Sequence, residues 1–225
     1  MDKKRLKGSL LLFTAAIFWG SSFVAQDIGL RFIGPYGLNS LRFILGSIFL
    51  IPVVFAFGKI REKSGETKEN IKEQRKKSIV PGIICGVSLA IASNFQQMGL
   101  IYTTPGKSGF ITSMYIILVP VAGIFFHKKT KINVWIAVAI STVGLALLSI
   151  PDDFSINFGD VLTMICAVAF VANILLIDKF AEKSDGVVMS LFQLLTAGVV
   201  TFIPLLISGE QLTFQMIADA KWCII

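Results

Sequence analysis

Six side chains in this sequence carry groups suited to holding a small solute: Trp19, Arg42, Asn94, Gln97, Tyr115 and Asn173. An amide donates and accepts at once, a tyrosine adds a hydroxyl, and an indole offers a flat apolar face with one N–H donor. The chemistry these types support is recognition rather than bond making. Asn94 and Gln97 lie three residues apart, so both amides share one helical face, while Ser108, Thr112 and Tyr115 follow at spacings of four and three on a second stripe. No charge interrupts the 29 residues between Lys77 and Lys107 or the 19 between Lys107 and His127, which is length enough for a bilayer crossing each time. An amide in hydrocarbon is costly unless something hydrogen-bonds it, so such groups turn towards other helices or a watery cavity. For any one of them interhelical hydrogen bonding is the alternative. Pro120, with no N–H, leaves the carbonyl of Ile116 without its usual donor, so a kink or polar opening is expected there beside the stripes.

Arg42 is the one full charge well inside an apolar span, with Asn39 a turn before it. It either snorkels to the headgroups, or serves as a cavity cation that meets an anionic group of the solute or Asp27. Trp19 either lines a solute cavity or packs against helices and lipid. Asn173, midway along the sixth span, is either a solute contact or a helix–helix hydrogen bond.

The elements that must position these groups are membrane helices. Of 225 residues, 54% are hydrophobic and only 16% charged, a composition that reads as an integral membrane protein. A basic start, Met1 to Lys7, precedes an uncharged span from Gly8 to Gln26. A signal peptide would share that pattern. Phe13, Phe18, Trp19 and Phe23, no clear small-residue cleavage site and the spans that follow favour a retained helix. The second span covers about 36–57, and Gly58 to Ser78, with eight basic and four acidic residues, reads as a solvated loop. After the two central spans come Ile132 to Ile150, with Ala137, Ser141 and Gly144 as a small-residue packing stripe ended by Pro151, then spans between Asp160 and Asp178 and between Asp185 and Glu210. Pro204 breaks the last of these near its end, an amphipathic stretch follows, and an eighth apolar span begins at the terminal Trp222-Cys-Ile-Ile.

With the N-terminus cytoplasmic, inner segments hold seventeen Lys and Arg and outer loops two, Arg31 and Lys107, which sets the expected orientation. The same asymmetry accounts for the net charge of +7 against anionic headgroups, so no nucleic-acid partner is expected. The expected location is the cell membrane. Expected partners are a small-molecule solute, membrane lipid and, in a homodimer, a second copy of the chain.

Cys85, Cys166 and Cys223 lie singly in apolar runs, so neither a disulfide framework nor a metal site is indicated, and no cofactor is expected. A membrane enzyme would need convergent acid–base or metal chemistry, whereas the single histidine, His127, sits among lysines. All fourteen acids fall in loops or at span ends, which favours exchange or facilitated diffusion over a buried proton relay. The rival to a transporter is a membrane scaffold that moves nothing.

Placing Gly8 on Gly159, an offset of 151, also aligns Leu11 with Leu162, Ala16 with Ala167 and Asp27 with Asp178, while Pro52 and Pro204 differ by 152. Five spans precede the second copy, and an odd number makes it enter the membrane from the other side. Inverted repeats around a midplane site are a common transporter plan. Under this offset Asn173 falls on Ser22, beside Ser21.

FWGSSF (18–23), GPYGLNSLRFILG (34–46), IYTTPGKSGFITSMYIILVP (101–120) and VWIAVAISTVGLALLS (134–149) together resemble the EamA family of the drug/metabolite transporter superfamily, over Gly8 to about Ile207. The resemblance implies ten helices in two inverted five-helix repeats that move small organic metabolites or drug-like solutes by alternating access through a central cavity. The fold class expected is thus an all-α polytopic membrane protein with a first repeat at 8–150 and an incomplete second repeat at 157–225, comprising seven full spans and the start of an eighth. Two departures follow: Lys128 stands where many members carry a glutamate at the inner end of the fourth span, and the family's last helices are absent, which implies a C-terminally truncated chain.

Overall fold

A computed structural model of the chain describes residues 3–125, 132–148, 156–220 and 223. Within them the ordered elements are helices: α1 (Lys3–Gly29), α2 (Pro35–Lys63), α3 (Lys68–Leu100), α4 (Pro105–Ser113), α5 (Tyr115–Phe125), α6 (Ile132–Leu148), α7 (Phe158–Ala181), α8 (Gly186–Ser208) and α9 (Phe214–Asp219). Among the described residues, six spans are long and apolar enough to cross a membrane: α1, α2, α3, α4 with α5, α7 and α8. The 17 residues of α6 follow the expected fifth span as far as the described residues go. His127, Lys128, Pro151 and the terminal Trp222 lie outside them. The chain is an all-α, multi-pass membrane protein.

Local chemistry starts these helices where it should. Pro35 and Pro105 occupy first-turn positions where a missing N–H removes nothing. Thr67, Thr104 and Asp185 cap α3, α4 and α8 with side-chain oxygens, and Asn157 with Asp160 closes a reciprocal capping box on α7.

Polarity is reversed relative to a soluble protein. Leu12, Phe49, Phe125, Leu206 and Ile207 face outward, whereas Asn39, Ser40, Gln97, Thr112, Thr163 and Thr201 are fully buried. Lipid removes the penalty on the first set; of the second, Asn39, Ser40 and Thr201 bond across to other helices, while Thr163 bonds back to the Gly159 carbonyl of its own. The packed centre is α3, which lies against α7 and α8, while α8 also crosses α2. Glycine permits the close approach: a Cβ on Gly86 would come within 2.7 Å of the Gln193 carbonyl oxygen, and one on Gly99 within 2.8 Å of that of Gly159. Gly86→Leu is therefore expected to destabilise the bundle by about 1–3 kcal/mol, read as a lower melting midpoint in detergent. An unchanged midpoint would mean α3 and α8 do not meet here.

Several expectations need correction. The solvated loop at 58–78 shrinks to Ser64 to Thr67, with helix on both sides. Lys, Glu, Gln and Arg are good helix formers, so a charged run extends α2 and α3 beyond the apolar core, and Gly65 at φ 96° makes the turn. The break between α4 and α5 falls at Met114, six residues before Pro120, which lies inside α5. The Ser113 hydroxyl donates to the Gly109 carbonyl at 2.7 Å, a back-bond that bends helices, while Ile117 and Leu118 N–H both turn to the Met114 carbonyl. The small-residue stripe of α6 has no partner among the described residues: Ala137 is exposed and a Cβ on Gly144 would meet nothing within 4 Å.

Candidate functional site

The aromatic residues form the first cluster. Trp19 of α1 stacks on Tyr115 with ring centroids 5.7 Å apart and 23° between planes, and meets Phe170 of α7 edge-on at 6.1 Å. Tyr115 and Phe170 close the triangle at 6.2 Å. The break at Met114 sets Tyr115 at the head of a new helix, and α1 brings Trp19 to it. Beside this triangle a cleft of about 450 Å³ runs between α1 and α4–α5, lined by Trp19, Phe23, Pro105, Gly109, Thr112 and Tyr115. Behind its wall the Gln96 amide donates to the Thr112 hydroxyl at 3.2 Å and fixes α4 to α3. An amphipathic wall of this size accommodates a small solute: aromatic faces for an apolar body and hydroxyls at the margin.

A second cluster sits between α2, α3 and α8. The Asn39 side-chain NH2 donates to the Ser93 carbonyl at 3.0 Å and to Asn94 Oδ1 at 3.1 Å, and the Thr201 hydroxyl donates to the same Oδ1 at 3.3 Å. Gln97, one turn on from Asn94, is wholly buried with neither amide atom hydrogen-bonded. Ser108 Oγ and Arg42 Nη1 are buried and unpartnered as well. Asp27, one of the alternatives weighed for Arg42, instead bridges Arg31, one helical turn on, at 3.4 Å. Asn173 donates to the Cys85 carbonyl at 2.8 Å and accepts from Gln193 at 3.5 Å, which ties α7 to α3 and α8.

Of the six residues singled out in the sequence, then, Trp19 and Tyr115 come together at the cleft. Asn94, Gln97 and Arg42 belong to the buried α2–α3 side, and Asn173 serves a junction of three helices. Sequence reasoning missed Phe170, although it lies 151 residues after Trp19, the repeat offset. It also missed Gln96, since adjacent glutamines give no hint which one faces α4.

Polar clips at the helix ends were likewise unforeseen. At one end Asp160, buried, pairs with Lys107 and accepts from the Thr103 hydroxyl at 2.8 Å, while Glu210 accepts from the Tyr36 and Gly37 N–H groups at the start of α2. At the opposite end Arg61 reaches Asp185 at 2.8 Å, Glu66 at 2.6 Å and Gln74 at 2.6 Å, at the mouth of an open cleft of about 720 Å³. The hydrogen bonds from Arg61 hold the Glu66 carboxyl below its ordinary range. The Asp185 N–H donates to Ser78 Oγ at 2.7 Å, so α2, α3 and α8 are fastened at this end. Arg61→Ala is expected to loosen it, seen as faster hydrogen exchange at the start of α8 with little change in α7. Equal change in both helices would contradict that placement.

Residues 6–150 match the model of the EamA-like transporter family. An uncharacterized transporter of Archaeoglobus fulgidus is 30% identical over 194 residues, which covers 84% of this chain and 55% of that protein. The uncharacterized inner membrane transporter YedA of Escherichia coli K12 is 23% identical over 90% of this chain and 63% of its own length. The uncharacterized transporter YoaV of Bacillus subtilis 168 is 21% identical over 96% and 70%. The chain thus spans little more than half the length of the first of these relatives. No solved structure matches it. With a family match over more than half its residues and this many apolar helices, the chain belongs to the EamA-like transporter family.

Proposed function

We propose that the chain serves a transporter that moves small organic metabolites or drug-like solutes across the cell membrane by alternating access, with the Trp19–Tyr115–Phe170 cleft as the solute site. The observation that carries this reading is the contact between Trp19 and Phe170. They are 151 residues apart, and so are the starts of α2 at Pro35 and α8 at Gly186. Two positions related by a repeat can touch only near the axis that relates them, and transporters built from inverted repeats keep their site on that axis. The crossing of α2 and α8 supports the same relation: Gly198 lies against Ile44 and Gly46 against Leu194, a nearly reciprocal pair under the offset. On this reading residues 8–150 form the first repeat and 157–225 the beginning of the second. The basic end, with Arg61 and Lys68 to Lys77, faces the cytoplasm with the N-terminus, and the Asp160–Lys107 end faces out.

A membrane scaffold is the second reading, favoured by Asn94 and Asn173, whose amides are engaged in interhelical bonds. Thermal stabilisation of the purified chain by a panel of amino acids, nucleobases, sugars and aromatic amphiphiles separates the two. The transporter reading expects at least one class to raise the melting midpoint in the parent chain and not in Trp19→Ala. No shift with any class would favour the scaffold.

A further inference from the structure

Arg42 lies seven residues into α2, roughly 10 Å below the helix start at 1.5 Å per residue, yet no ion pair of its guanidinium forms among the described residues. The described acids towards that end are engaged elsewhere: Asp27 with Arg31, Asp160 with Lys107, Glu210 with the N–H groups of α2, and Asp219 with Gln215. Arg42 is half-buried with its Nη1 enclosed and unpartnered, which is unfavourable for a cation, and natural chains keep such a group where something else supplies the negative charge. Gln97 adds an independent sign, since it is fully buried with a free donor and a free acceptor. The register relates the two. Asn39, one turn before Arg42, bonds to Asn94, one turn before Gln97, and the Asn39–Ser93 and Arg75–Val54 bonds show that α2 and α3 run antiparallel. Long side chains lean towards the N-terminus of their own helix, which here is towards the Asn39–Asn94 bridge from both sides. The position 151 residues after Arg42 is Gln193, which is neutral and already bonded to Asn173. The two halves therefore differ at this point: one carries a neutral glutamine bonded to Asn173, and the other a charge with no ion-pair partner among the described residues.

We propose that Arg42, assisted by Gln97, forms a subsite for the carboxylate of an anionic solute. This rests on the transporter reading above and narrows its substrate class to solutes that pair an apolar or aromatic body with a carboxylate. A guanidinium offers paired N–H donors that match a carboxylate, and a buried charge-assisted contact is worth at least an order of magnitude in affinity.

The test uses the full chain in phosphatidylcholine nanodiscs, with 3-phenylpropanoate and its neutral amide, 3-phenylpropanamide, as probes and thermal shift titration as the readout. The expected result is at least tenfold tighter binding of the acid than of the amide, loss of that preference in Arg42→Gln, and partial recovery in Arg42→Lys. Ligand-free Arg42→Gln is expected to melt no lower than the parent, because a charge with an enclosed, unpaired Nη1 has been removed. Equal binding of acid and amide, or a preference that survives in Arg42→Gln, overturns the proposal. If both probes then still lose binding in Trp19→Ala, the cleft reading stands without the anion subsite; if neither probe binds the parent chain, both fall. In phosphatidylglycerol nanodiscs, an Arg42-dependent rise in midpoint that the acid does not compete with would assign the anion to a lipid headgroup and overturn the solute assignment.

Discussion

Lys107→Met is expected to destabilise the folded bundle by about 2–3 kcal/mol, because it takes the cation from an enclosed carboxylate. Asp160 is almost fully enclosed at the head of α7, and its carboxylate is supported by Lys107, the Thr103 hydroxyl and the Asn157 N–H. Removing the cation leaves the carboxylate enclosed with neutral donors only. The remaining hydrogen bonds limit the loss to less than that of an unsupported buried charge. Asp160→Asn with Lys107→Met should recover much of it, because the double change removes both charges. Urea or thermal unfolding of the single and double variants in detergent checks this, and a fully additive double variant would show that the two side chains do not interact.

Tyr115→Ala is expected to weaken solute binding by about tenfold to a hundredfold, the range typical of removing a central aromatic contact. Its ring stacks on Trp19 and touches Phe170, so truncation opens both contacts at once. Trp19→Ala should do the same to binding while changing stability less, because Trp19 is 42% exposed and α1 packs mainly on α4. Parallel titrations and melts of the two variants separate recognition from packing: binding lost only in proportion to stability would make the aromatic triangle structural.

Much of this architecture was legible in the residues. Uncharged runs of bilayer length marked the spans because charge is excluded from hydrocarbon whatever the tertiary fold. Prolines and capping residues marked helix starts, as at Pro35, Pro105 and Asp185. The boundary at 58–78 was misread because polarity marks where the membrane ends, not where the helix does; α2 and α3 continue into water on Lys, Glu and Arg. Trp19 and Tyr115 were found as candidates by type, yet nothing in their spacing showed that they stack, since they lie on separate helices 96 positions apart in the chain. Asn94 and Gln97 share a face, as their spacing requires, but whether that face meets a cavity or another helix depends on which neighbours crowd it. The structure sets Asn94 between Asn39 and Thr201 and leaves Gln97 without a partner. Phe170 was reachable through the 151-residue offset, had the aromatic at position 19 been carried across with the glycine at position 8.

A solute site between α1 and α4–α5 requires that space to be open to a water-soluble molecule, and Gly109 is the position to ask. A Cβ there meets only Phe23, at 4.0 Å, so Gly109→Cys fits without repacking, whereas Phe18, exposed on the face of α1 opposite Ala16, Trp19 and Phe23, provides a lipid-facing control. With Cys85, Cys166 and Cys223 replaced, the measurement is the rate at which each new thiol reacts in membranes with a charged methanethiosulfonate reagent. The cleft predicts rapid labelling of Gly109→Cys, slowed by a solute that stabilises the protein, beside an unreactive Phe18→Cys. Equal inertness at both positions would mean that no aqueous hollow exists there, and that these helices merely pack against each other and lipid.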